Sequence, residues 1–141
     1  MKIAVNAWFA DVPTNGTGQY TRHLINALRE VAPHIELELV RPRRVPSGLL
    51  GDLAKIHFEQ VEFPRQVKAM KADVAFVPYW GPPMSCAAPV VCTVHDVISL
   101  AMPAYRGKVQ HRAYSSLARA AATNAAAIIT DSEFSKADIL R

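Results

Sequence analysis

A chain of 141 residues, half of them hydrophobic and a fifth charged, has the composition of one globular domain with a sizeable core, not of a disordered segment. No apolar run approaches the roughly 20 residues that a membrane-spanning helix needs, and the short run at Met1 to Asn6 turns polar too soon for a secretory signal, so a cytoplasmic location is expected. The balance of 16 Lys and Arg against 12 Asp and Glu suits anionic small molecules, phosphorylated substrates or an anionic membrane surface, while the dispersal of the basic residues speaks against nucleic acid.

In chain order, the first element is an apolar strand over residues 2–6. A helix follows over 18–32, with Tyr20, Leu24, Ala27, Leu28 and Val31 on one stripe and Pro33 ending it. Residues 35–40 alternate, Ile35, Leu37 and Leu39 against Glu36 and Glu38, which predicts a half-exposed strand near a sheet edge. The basic cluster Arg41, Arg43 and Arg44 comes next, either a solvated loop or a contact for phosphate or lipid headgroups. A weaker helix spans 59–70, interrupted by Pro64. The apolar runs 73–77, 90–94 and 126–130 read, with the first, as buried parallel strands. An Ala-rich helix occupies 108–124, where Lys108, Arg112 and Arg119 form a solvated face or touch anionic lipid. Ser132 is placed to cap a last helix. Cys86 and Cys92 have neither disulfide-scaffold nor metal-ligand spacing, and Cys92 reads as a small buried hydrophobe.

The order β, α, β, α, β, β, α, β, α predicts an α/β domain with a Rossmann-like, doubly wound, mainly parallel sheet. The last helix is expected to be cut short, leaving this domain without a partner domain.

Ligands of open α/β sheets bind at the carboxyl ends of the strands, and three unusual segments map there. Asn15-Gly16-Thr17-Gly18-Gln19-Tyr20 combines glycines with a helix start, which is an ordinary turn or a phosphate site. A dinucleotide fingerprint fits it poorly, because Thr21 stands in place of the third glycine and the motif is displaced about ten residues from the strand. His95 and Asp96 follow the apolar strand 90–94 directly. An imidazole there acts as acid, base or hydrogen-bond donor, or the two residues merely close a loop. Thr130 to Lys136 reads as a helix cap or as a second contact to phosphate or hydroxyl. Trp8, Tyr79 and Trp80 either stack on an acceptor or pack in the core.

Taken together, the Gly16-Thr17-Gly18-Gln19-Tyr20 turn, the Pro78-Tyr79-Trp80-Gly81-Pro82 loop, Val90 to Val97 and Ile129 to Lys136 resemble, in order, the amino-terminal domain of retaining GT-B glycosyltransferases of the family 4 type, the group 1 family. The resemblance covers nearly the whole chain and is closest to enzymes that build surface polysaccharides. It implies a nucleotide-sugar donor, a glycan or lipid-linked acceptor, no metal or other cofactor, and a donor carboxylate pair on an absent carboxyl-terminal domain. This piece alone is then expected to be inactive, with peripheral membrane contact and self-association open to it. Gly16, Thr17 and Gly18 would face the donor diphosphate, and His95, with Asp96, would lie by the donor sugar. Tyr79, Trp80, Ser132 and Glu133 would shape the acceptor side. Gln19 departs from the pattern, since many relatives carry Arg there. Two other readings stay open: an NADP-binding domain in which Arg41 meets the 2′-phosphate, and a non-catalytic binding module.

Overall fold

A computed structural model describes residues 1–12, 14–101 and 109–140. Five parallel strands, β1 (Lys2–Asn6), β2 (Glu36–Val40), β3 (Val74–Val77), β4 (Val90–Thr93) and β5 (Ala127–Ile129), form one sheet in the order β2-β1-β3-β4-β5. Helices α1 (Gly16–Val31), α2 (Gly48–His57), α3 (Phe63–Ala69), α4 (Ile98–Ala101), α5 (Val109–Ala122) and α6 (Glu133–Ile139) complete a Rossmann-like α/β domain. Lys108, expected to open the Ala-rich helix, lies outside the described residues.

Alternation along the strands divides the core between the two faces of the sheet. Val5, Phe76, Ile3, Leu37, Leu39 and Val91 meet Leu24 and Ile25 of α1 on one face. Ala4, Val40, Ala75, Val77, Val90 and Cys92 meet Phe58, Phe63, Val67 and Ala122 on the other. Phe58 and Phe63, each at most 1% exposed, contribute about 2–3 kcal/mol apiece by burial. Cys92 is fully buried, and burial pushes its thiol up to about 11.

Several expectations shift. The buried stripe of α1 is Gly18, Thr21 and Ile25, whereas Ala27 and Val31 face solvent. The helix begins two residues early, because the Asn15 side chain accepts from the Gly18 N–H and caps it at Gly16. Residues 59–70 belong to a longer helical stretch that starts at Gly48. Pro64 does not break it, because the turn Phe58–Glu62 is π-helical, with the Phe63 N–H reaching back to the Phe58 carbonyl. One extra residue in that turn accommodates the proline, which has no N–H to give and a ring that crowds the preceding turn. Residues 126–130 are not a buried strand. All of β5 is exposed, since it is an edge and α1 covers the far side of the sheet, over β1 and its neighbours. The prediction for β2 agrees with the structure: it is the other edge, its two glutamates exposed and its leucines half-buried.

Candidate active site at the carboxyl edge of the sheet

The end of β4 brings the chemistry-bearing residues together. His95 leaves the strand there, and its Nδ1 meets Asp131 Oδ2, just beyond β5, at 2.5 Å. The Tyr20 ring, in the second turn of α1, stands edge-on to the imidazole at 4.8 Å, and its hydroxyl shares a 3.2 Å hydrogen bond with Thr93. Among the described residues, His95 Nε2 is buried and has no hydrogen-bond partner. With Nδ1–H donated to the carboxylate, the neutral ring presents a lone pair at Nε2, and the protonated ring presents a donor there.

The glycine motif is the start of α1 rather than a turn before it. Gly18 is needed for packing: a Cβ there would stand 2.2 Å from the Val12 carbonyl oxygen and 2.6 Å from that of Phe9. Gly16 is exposed with open space around it, and the Thr17 carbonyl accepts from Thr21. Beside Gln19 lies the guanidinium of Arg22, which donates to Gln19 Oε1 at 2.9 Å. A positive charge is therefore available beside Gln19, from the second turn of the helix.

Other candidates sit in plainer settings. Asp96 accepts from the Ile98 N–H at 3.0 Å and so caps α4; the carboxylate that holds His95 is Asp131. Ser132 caps α6 by accepting from the Ser135 N–H, and the exposed Glu133 pairs with Lys136. Arg41 pairs with Asp11 at 3.0 Å. Tyr79 does not reach an acceptor surface. It is 5% exposed, its ring packs against Phe9 and its hydroxyl donates to Asn6 Oδ1. Trp8 is likewise buried, against Phe58. Trp80 is half-buried and lines an apolar hollow of about 400 Å³ with Val97, Leu100, Arg119, Ile128 and Ile139. In this sheet order the crevice between the ends of β1 and β3 is the usual ligand position, but here the Asn6–Tyr79 hydrogen bond closes it.

Behind that closure lies a polar cluster that the sequence reading missed. Lys55 of α2 points inward and meets Glu59 Oε1 at 2.5 Å. Its ammonium also touches the Tyr114 hydroxyl of α5 and lies over the rings of Tyr114, Tyr79 and Phe9. Tyr114 is within hydrogen-bond reach of both Glu59 oxygens and of the Trp80 carbonyl. Burial lowers the Lys55 pKa and raises that of Glu59, in each case against the pull of the partner charge. Burial, with Glu59 nearby, also raises the pKa of Tyr79 and Tyr114. A Cβ on Gly81 would stand 2.6 Å from atoms of Glu59, Tyr114 and Tyr79, so the loop closes over the cluster only with glycine there. The available signal was Lys55 and Glu59 at i, i+4, with Glu59 four residues before the buried Phe63.

A family model for Glycosyltransferase Family 4 matches residues 14–141. The chain belongs to this family. No curated protein matches it in sequence. Family membership implies a sugar donor and an acceptor as substrates in general. In such a domain the open Gly16 end of α1 offers the positive end of a helix dipole, and His95 offers a nitrogen without a partner. Among the described residues, no three His, Cys, Asp or Glu side chains are grouped to hold a metal, and no helix is long and apolar enough to cross a membrane.

Proposed function

We propose that this family 4 domain is the acceptor-side, amino-terminal half of a retaining GT-B enzyme of the group 1 type. The enzyme moves a sugar from a nucleotide-sugar to a glycan or lipid-linked acceptor in surface polysaccharide synthesis, at the cytoplasmic face of a membrane. The observation that carries the reading is His95, anchored through Nδ1 to Asp131 and packed against Tyr20 of α1, with Nε2 left for a ligand.

Breaking the bond between sugar and diphosphate develops negative charge on the leaving group and positive charge at the anomeric carbon. Preorganised dipoles and donors stabilise that separation. Gly16, Thr17 and Gly18 at the head of α1 face the diphosphate, with Arg22 supplying a cation beside Gln19. His95 Nε2 hydrogen-bonds a hydroxyl of the donor sugar, and Asp131 rather than Asp96 orients the ring. Trp80 and its hollow form the acceptor side, with Ser132 and Glu133 at the rim. On this reading a second domain supplies a carboxylate pair for the donor, so the domain alone is inactive.

In the two-domain enzyme, His95→Ala is expected to lower kcat by about 100-fold or more while the fold, followed by circular dichroism, stays intact. Unchanged turnover would remove His95 from the chemistry. Submicromolar binding of NADP by the domain in calorimetry would replace the whole reading, although the Arg41–Asp11 pair already occupies the residue that would meet a 2′-phosphate.

A further inference from the structure

Residues 78–84, Pro-Tyr-Trp-Gly-Pro-Pro-Met, leave β3 at the carboxyl edge of the sheet and carry Trp80 into the wall of the apolar hollow. Three of these seven are prolines, which have no N–H, so the segment has few donors with which to fold on itself. The Gly81 N–H makes a three-residue turn to the Tyr79 carbonyl at 3.0 Å. Further anchors come from outside the segment. The Gln60 amide donates to the Pro82 carbonyl at 3.1 Å and accepts from the Met84 N–H at 2.9 Å, so one side chain takes both backbone groups that flank Pro83. The Tyr114 hydroxyl stands 3.3 Å from the Trp80 carbonyl, and Gly81 fits between only because it has no Cβ. Two consecutive residues of the π-helical turn thus serve one loop, Glu59 through Tyr114 and Gln60 directly. Single π-turns inside helices are rare and recur at functional sites.

We propose that Gln60 is a positioning residue for the acceptor: with Tyr114 it clamps the loop and so holds the Trp80 ring as a wall of the hollow. This rests on the reading of the hollow as the acceptor side. Val94, the residue before His95, lines the same hollow, so an acceptor lying against Trp80 is led toward the site where His95 holds the donor. The other walls have backbone ladders of their own: Ile128 belongs to β5, Ala122 to α5 and Ile139 to α6. Trp80 stands on a loop and depends on the clamp. A ring free to leave the hollow would have to be ordered again at each binding event, at a cost in affinity. Gln60 therefore acts through Trp80, without touching substrate.

The test uses the 141-residue chain with 5-fluorotryptophan in place of tryptophan. Fluorine-19 NMR then gives two resonances, Trp8 and Trp80, told apart by Trp80→Phe. Gln60→Met keeps the length of the side chain and removes its amide, and Tyr114→Phe releases the Trp80 carbonyl. Each is expected to shift and broaden the Trp80 line. Trp8, packed on Phe58 of the same π-turn, keeps its position and reports that the turn is intact. Binding to the hollow is read by ligand-observed NMR with octyl β-D-glucoside, a sugar on an alkyl chain, below the concentration at which it forms micelles. The parent chain is expected to bind it and Trp80→Ala to lose most of that binding. Gln60→Met weakens it about tenfold, the effect of a wall in place about a tenth of the time. A Trp80 line unmoved in both variants overturns the proposal. So does a Gln60→Met chain that binds the glycoside like the parent while Trp80→Ala does not. A parent that fails to bind, or a Trp80→Ala chain that binds like the parent, removes the hollow from the acceptor side and overturns the proposal with it; the parent and Trp80→Ala chains alone tell that failure from the other.

Discussion

Two polar constellations in this domain answer to opposite demands. The Lys55–Glu59–Tyr114 cluster is buried, and its members satisfy one another across α2, α5 and the loop at Gly81. The His95–Asp131 pair lies at the sheet edge, about a third and a half exposed, with one ring nitrogen left without a partner among the described residues. A saturated buried network has nothing to offer a ligand and holds the fold in place. A half-satisfied pair at an edge contributes little to stability and keeps a nitrogen for chemistry. Both join an acid to a base, and what separates them is the number of bonds left to make.

The sharpest way to break the contrast is Lys55→Met. It leaves Glu59 buried without its cation, and chemical denaturation is expected to show a loss of about 3–5 kcal/mol. The deficit should depend on pH. Burial already raises the Glu59 pKa in the folded state above its unfolded value, and removing Lys55 takes away the charge that opposed the rise. A carboxyl with a raised folded pKa costs stability above that pKa and relieves the cost as pH falls through it. The deficit is therefore larger at neutral pH than in the acidic range; a pH-independent deficit would mean that losing Lys55 leaves the pKa of folded Glu59 unchanged. Tyr114→Phe removes a hydroxyl near Lys55, Glu59 and the Trp80 carbonyl and should cost about 1–3 kcal/mol by the same measurement.

Asp131→Asn has the smallest expected effect on stability, within about 0.5 kcal/mol for an exposed pair. Its effect belongs to the ring. Nitrogen-15 NMR of the parent should show neutral His95 protonated at Nδ1, and the asparagine variant should shift the population toward Nε2. An unchanged tautomer would mean that the carboxylate does not set the ring's hydrogen-bonding sense, and the two constellations would then differ less than their geometry suggests.

Most of the fold was legible in the sequence because parallel strands announce themselves as short apolar runs, and the alternation of residues 35–40 marked β2 as an edge. The place of His95 was legible, since a polar residue directly after an apolar strand emerges at the sheet edge. Its partner was not: Asp96 is adjacent in sequence, yet Asp131 arrives from the next strand, and register is a property of the assembled sheet. Tyr79 and Trp8 followed strands like His95 but fold inward, because Asn6 and Phe58 offer them partners that composition does not reveal. Helix α2 escaped notice although Leu49, Leu50 and Leu53 share one stripe, because Gly48 and Gly51 lower its helix propensity.

The π-turn at Phe58–Glu62 has a consequence for ancestry. It amounts to a one-residue insertion that the helix absorbed in place. A relative lacking that residue would turn everything after Glu62 by about 100°, carrying Phe63 and Val67 away from the sheet while Lys55 stayed behind. Descendants of this lineage are therefore free to exchange the partly exposed side chains along the stretch but not to change its length, and the spacing from Lys55 to Phe63 should be inherited as faithfully as the buried Phe58 and Glu59 between them.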